Sequence, residues 1–180
     1  MNEPKIISQK TVLKTKLFNV KDLKIVLSTG SKKTHTIAER NSTISVFPLT
    51  DSYEIYLVSQ YRYLLGKTSL EAVAGFIDKG ETSLAAAKRE LKEETGILAN
   101  QWEELARIEM AASVFKGTAH LFLAKGLEIE TARPEEGENI TLVKMPLKRA
   151  VEKAMNGEIN VSASIIGILL LDKLHKEKKR

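Results

Sequence analysis

Between Ser83 and Gly96 the chain carries a stretch that reads as a helix with one side pressed against a neighbour. Leu84, Ala87 and Leu91 recur at helical spacing over residues 83–95, and Gly96 stands where a left-handed C-terminal cap belongs. Glu90 and Glu94 are one turn apart and flank that apolar stripe, with Glu93 at its edge. The carboxylates therefore belong where the helix meets the rest of the fold. Like charges at this spacing repel by about 0.2–0.5 kcal/mol per exposed pair, and partial burial raises the cost. A bridging cation reverses the sign. Clustered carboxylates are hard oxygen ligands that suit Mg²⁺ or Mn²⁺, and Arg89 can pair with one of them. Gly75, Gly80 and Gly96 permit tight turns around the helix. Taken alone, Lys88–Glu94 reads more simply as a solvated charged helix.

The neighbour of this helix is a sheet. Leu23–Leu27, Thr34–Ala38, Thr43–Leu49 and Tyr53–Tyr61 are rich in apolar, β-branched or aromatic residues. Ser31-Lys32-Lys33 reads as a turn, and Pro48 with Asp51-Ser52 marks the next connection. Further strands are predicted at Glu103–Met110, Ala119–Ala124 and Ile140–Met145. Leu147–Met155 and Val161–Leu174 read as helices, the second with Val161, Ile165, Ile166, Leu169 and Leu170 as its core face. The pattern is α/β: a mixed sheet between helices, an α/β/α sandwich. Residues 1–40 are expected to form a small antiparallel β-sheet ahead of a main domain at 41–180.

Composition excludes several classes. The 180 residues contain no cysteine, so disulfides and thiolate metal sites are impossible. No apolar run approaches the roughly 20 residues of a membrane span, and MNEPKIISQK lacks the apolar segment of a signal peptide. A cytoplasmic location without membrane attachment is the expectation. The net charge of +5 owes part of its excess to Lys173, Lys176, Lys178, Lys179 and Arg180. No aromatic residue is interleaved there to stack on bases, so a solvated tail is favoured over a nucleic-acid contact.

From Gly75 to Ile97 the chain reads as a glycine, five residues, a glutamate, seven residues, and then Arg-Glu-apolar-x-Glu-Glu-x-Gly-apolar. Gly75, Glu81, Arg89, Glu90, Leu91, Glu93, Glu94, Gly96 and Ile97 fill every specified position. This resembles the Nudix box. Gln60-Tyr61-Arg62-Tyr63, Leu70–Gly75, His120–Leu127, Glu135–Ile140 and the pair Gly157–Ile159 with Ala163–Ile166 resemble the ADP-ribose and nucleoside diphosphate sugar pyrophosphatase branch of that family.

The resemblance implies a Nudix α/β/α sandwich that hydrolyses a pyrophosphate bond with Mg²⁺ or Mn²⁺. It implies that Glu90 and Glu94, with the carbonyl of Ala74, are metal ligands, and that Glu93 binds a second metal or a metal-bound water. Glu81 and Arg89 would shape the loop and helix as an ion pair. The base would come from the acidic loop, with Glu136 first and Glu138 second among Glu135, Glu136 and Glu138. Gln60, Arg62 and Glu71 would reach the substrate, Arg62 alternatively the partner subunit or a surface ion pair. Phe115 reads either as a stacking platform or as core, and Trp102 as packing. His35, His120 and His175 lack metal-ligand spacing.

The branch also implies a homodimer built through the N-terminal strands. One departure stands out. Met110–Thr118 contains no proline where ADP-ribose hydrolases of the branch usually carry one, which leaves the choice among nucleoside diphosphate sugars open. The alternatives are hydrolysis of another nucleotide, such as a dinucleoside polyphosphate or an RNA 5′ end, and a non-catalytic nucleotide sensor.

Overall fold

The computed structural model describes residues 3–130 and 139–177. In order its elements are β1 (Lys5–Lys14), β2 (Phe18–Val26), β3 (Lys32–Arg40), β4 (Thr43–Pro48), β5 (Glu54–Arg62), β6 (Lys67–Glu71), β7 (Val73–Phe76), α1 (Ser83–Thr95), β8 (Ile97–Glu109), β9 (Phe115–Lys116), β10 (Thr118–Ile129), β11 (Thr141–Pro146), α2 (Leu147–Met155) and α3 (Ser162–Glu177). The chain divides into two compact units. One comprises the residues up to Ser42 together with Glu109–Thr118, and the other the remainder. The smaller unit thus takes in a stretch from the middle of the chain as well as the N-terminal strands.

In the smaller unit β1, β2 and β3 form an antiparallel meander, and β9 adds in parallel to β3. The turn between β2 and β3 closes through Leu27 and Ser31, with Gly30 at φ +85°. It therefore precedes Ser31–Lys33; Lys32 and Lys33 already pair as strand, because only Gly30 takes the left-handed backbone the turn requires. Glu39 ties the sheet together by pairing with Lys21 and, at 2.9 Å, with Lys116. These partners, Lys21 first, hold its carboxyl below the usual carboxylate range.

In the larger unit β4 and β10 run parallel, flanked in the order β7-β4-β10-β8, and a second sheet runs β11-β5-β6. Side chains alternate between the faces of a strand, and here the alternation feeds two cores. Ile44 and Val46 of β4, Val58 of β5 and Phe122 and Ala124 of β10 pack with Ala86, Ala87 and Leu91 of α1. Phe47, Leu57, Leu121 and Leu123 pack instead with α2 and α3. The result is the expected α/β/α arrangement with a mixed sheet. Among the described residues no helix is long and apolar enough to cross a membrane.

Two helix faces differ from expectation. Leu84 is left 38% exposed, and the buried side of α1 is Ala86, Ala87, Leu91, Glu94 and Thr95. The buried stripe of α3 is Ser164, Gly167, Ile168 and Leu171, whereas Val161, Ile165, Leu169 and Leu170 are only partly covered and Ile166 is exposed. The reason is close approach. A β-carbon on Gly167 would stand 2.0 Å from Cζ of the buried Phe47 ring, so α3 turns its small residues, not its bulkiest, to the sheet. Gly167→Ala ordinarily favours a helix by about 1 kcal/mol. Here it is expected to destabilise by about 1–3 kcal/mol through overpacking, seen as a lower urea midpoint with an unchanged slope. A raised midpoint would show that α3 does not lie this close to Phe47.

Candidate active site

The site begins at β7, which pairs antiparallel with β4 and sets Ala74 opposite Ser45 and Gly75 opposite Ile44. The backbone N–H of Ala72, just before β7, donates to Ser164 Oγ of α3 at 2.9 Å, inside the core. This tether aligns β7 from the opposite layer. No local pattern announces this bond, since one serine in an apolar helix reads as a helix-face detail.

Beyond β7 the chain turns and enters α1. The Thr82 side chain caps the helix by accepting from the Ala85 N–H at 3.2 Å. At the other end Gly96, at φ +69°, donates its N–H to the Lys92 carbonyl at 2.8 Å. The loop closes on itself through Glu81, whose N–H donates to the Asp78 carbonyl and whose carboxylate accepts from the Asp78 N–H at 3.1 Å.

Arg89 gathers the acidic side chains. Its Nε and Nη2 donate to the two oxygens of Glu81 at 3.1 and 3.0 Å, a bidentate pair. Nη2 also donates to the Phe76 carbonyl at 3.0 Å, while Nη1 donates to Glu90 at 2.7 Å and Glu93 at 3.2 Å. Glu81, Glu90 and Glu93 thus converge on one guanidinium. Glu81 is held below the usual carboxylate range, with Arg89 the largest cause. The carboxylates in turn raise the Arg89 pKa, Glu81 most, against the opposing effect of burial.

The three candidate metal ligands on α1 differ in environment. Glu94 is buried, Glu90 is mostly covered and Glu93 is exposed by 41%. Among the described residues no three acidic or histidine side chains converge on one metal position. The donor set is nonetheless all oxygen, as Mg²⁺ and Mn²⁺ prefer, and Mg²⁺ commonly keeps water or substrate oxygens for its remaining positions. Gly75 supplies a cradle: a β-carbon there would lie 2.0 Å from the Glu90 carboxylate, so only a glycine lets that group rest on the backbone next to Ala74. The Arg89 guanidinium already places a cation against Glu90 and Glu93. The residues present fit a divalent ion.

A second polar group lies on β5 and β6. Gln60 and Arg62 share a strand face with Val58, which is the face that packs in the α1 core. Glu71 pairs with Val58 in register and points to the same side. Arg62 donates to Glu71 through Nε at 3.1 Å and Nη2 at 2.7 Å, and Glu71 is buried. The structure therefore brings Gln60, Arg62 and Glu71 together, with Arg62 in a partly buried bidentate pair. Ser69, in register with Gln60, belongs to the same face; its buried hydroxyl has no hydrogen-bond partner among the described residues. Phe115 lies in the smaller unit with Arg40 above its ring at 5.9 Å. Trp102 packs edge-on to Phe122 and donates to the Ala99 carbonyl, a packing role. His120 lies on β10 and bonds Glu104, and His35 bonds the Ser113 carbonyl. Glu135, Glu136 and Glu138 lie outside the described residues.

Comparison with known proteins agrees with this geometry. The NUDIX domain profile matches residues 39–163. The ADP-ribose pyrophosphatase of Mycobacterium tuberculosis is 30% identical over 91% of this chain and 80% of its own length. The ADP compounds hydrolase NudE of Escherichia coli is 27% identical over 95% of this chain and 92% of its own. A crystal structure of an ADP compounds hydrolase superposes with a TM-score of 0.85 at 25% identity, covering 99% of this chain and 97% of the other. With the complete box running from Gly75 through α1 to Ile97 and a matching profile over most of its length, the chain belongs to the Nudix family and is a pyrophosphohydrolase of that family.

Proposed function

We propose that the protein hydrolyses the pyrophosphate bond of a nucleoside diphosphate sugar, ADP-ribose or a related compound, to a nucleoside monophosphate and a sugar phosphate. The observation that carries this reading is the carboxylate cluster around Arg89, set beside the Gly75 cradle and on the same side of the fold as Gln60, Arg62 and Glu71. The names of similar proteins supply the substrate class: ADP-ribose pyrophosphatase in Mycobacterium tuberculosis and ADP-sugar pyrophosphatase in Mus musculus.

Nudix hydrolases are generally divalent-metal dependent. Glu90, Glu93, Glu94 and the Ala74 carbonyl would hold the ion, which when bound neutralises the diphosphate and makes a water more acidic. The protein's own residues have distinct parts. Arg89 and Glu81 fix the position of Glu90 and Glu93, because a bidentate pair resists rotation. Gln60 and Arg62 orient the nucleotide, and the buried Glu71 holds the Arg62 fork in place. Glu136, or Glu138 in its stead, accepts the proton of the attacking water.

A metal role for Glu94 makes a sharp prediction. Glu94→Gln should lower kcat by orders of magnitude and weaken Mg²⁺ binding measured by calorimetry, with an unchanged circular dichroism spectrum. Excess EDTA should abolish turnover. Full activity of the metal-depleted enzyme would end the metal reading. Glu136→Gln should instead lower kcat by about 10²–10⁴-fold with Mg²⁺ affinity retained.

We also infer a homodimer assembled through the smaller unit. β1 is the edge of its sheet and exposed along its whole length, with Ile6, Ile7, Val12 and Leu13 uncovered. An edge strand ten residues long, with its backbone groups open and four large apolar side chains uncovered, offers a second copy both hydrogen bonds and apolar area. Light scattering at micromolar concentration should give twice the chain mass. A monomer in that measurement would contradict the assembly.

A further inference from the structure

The sheet β11-β5-β6 has a second face, turned away from α1. Ser59 of β5 lies on it next to Leu70, with Thr68 one step further along β6 and Val143 and Met145 on β11. Near Met145 this face is closed by α2, whose Leu147, Ala150 and Ala154 enter the core. Toward Ser59 the cover stops, leaving an open recess of about 380 Å³. Its floor is apolar, from Leu70, Val143 and Met145, and Arg149 and Lys153 stand at its side one helical turn apart.

The polar groups around the recess differ in how fully they are engaged. Lys153 is mostly covered and paired with Glu158, which is held in turn by Asn156 Nδ2 at 2.6 Å. These neighbours, Lys153 first, keep the Glu158 carboxyl below its ordinary range. Lys144 is paired with Glu54 at 2.6 Å. By contrast, the hydroxyls of Ser59 and Thr68 make no hydrogen bond among the described residues, and Arg149, whose charge also helps to hold the Glu158 carboxyl down, makes no hydrogen bond or close ion pair there. A guanidinium and two hydroxyls with donors to spare, above an apolar floor, suit an anion attached to an apolar body. Arginine in particular matches the tetrahedral oxygens of phosphate with paired donors.

We propose that this recess is a second binding site, for a phosphomonoester such as a nucleoside monophosphate. Arg149, Ser59 and Thr68 take the phosphate, and the floor of Leu70, Val143 and Met145 takes the apolar part of the ligand. The site is separate from the carboxylate cluster but not independent of the candidate substrate face. Ser59 alternates along β5 with Gln60, and Leu70 along β6 with Glu71, so each strand presents one residue to the recess and the next to the substrate side. A ligand in the recess is thereby placed to act as an effector.

The test is amide nuclear magnetic resonance on the full chain in EDTA, titrated separately with adenosine monophosphate and with inorganic phosphate. The nucleotide should shift the Ser59, Thr68, Leu70 and Val143 signals saturably. Arg149→Ala, a surface change whose fold the same spectrum reports, should weaken that binding about tenfold or more, the usual worth of a charge-assisted hydrogen bond. Matching shifts with inorganic phosphate would assign recognition to the phosphate alone, and shifts with the nucleotide only would assign it to phosphate and floor together. No shift at these residues, shifts confined to Ala74–Glu94, or affinity unchanged in Arg149→Ala would each overturn the proposal. All of these outcomes leave the hydrolytic reading untouched, because that rests on the opposite side of the sheet.

Discussion

One guanidinium makes the acidic side of α1 possible. Glu90, Glu93 and Glu94 repel one another on a single helix, and two of them are largely withdrawn from water. Arg89 opposes that repulsion with donors to Glu90 and Glu93, and its other edge is anchored to Glu81 and the Phe76 carbonyl. The anchor matters as much as the charge. A lysine would neutralise as well, but it could not hold the loop before the helix and two carboxylates on the helix in one planar fork. The arrangement ties the end of β7, the loop and the second half of α1 into a single body, as a metal site requires if its ligands are to be held before an ion binds.

The layered fold supports that body from behind. Alternating residues of β4, β5 and β10 serve two cores, so α1 on one side and α2 with α3 on the other press on the same strands. The Ser164 hydroxyl reaches through this sandwich to the Ala72 N–H, linking the far helix to the strand that carries Ala74 and Gly75. The close approach of Gly167 to Phe47 lets α3 come near enough to do so. Packing on the side without carboxylates therefore bears directly on their position.

Much of this was legible in the chain itself. The glycines, the arginine and the glutamates from Gly75 to Gly96 stand at spacings that follow from the helix and its caps, and α1 and α2 begin and end where periodicity places them. Strands with β-branched and apolar alternation, such as β4 and β10, were equally plain. β1 is hard to read from sequence, because KIISQKTVLK mixes lysine and glutamine into its apolar positions and buries none of them. β6 and β7 escape a reading by periodicity because they are short and carry glutamate, alanine and glycine, which favour strands poorly. Sequence periodicity also misplaced the buried side of α3. Hydrophobicity marks what could be buried, whereas the short distance from α3 to the sheet selects the small residues. The pairing of Arg62 with Glu71 joins adjacent strands, and no local spacing announces it.

Cleavage of the diphosphate linkage between a nucleoside and a sugar is the activity to which all of these features converge. The most direct measurement is incubation with ADP-ribose and Mg²⁺ in heavy-oxygen water, with the products identified by mass spectrometry alongside GDP-mannose, UDP-glucose and nucleoside triphosphates. At least one of the nucleotide sugars should yield a nucleoside monophosphate and a sugar phosphate, with a single heavy oxygen on one of the two phosphates. Intact nucleotide sugars across the panel, or turnover of nucleoside triphosphates alone, would contradict it.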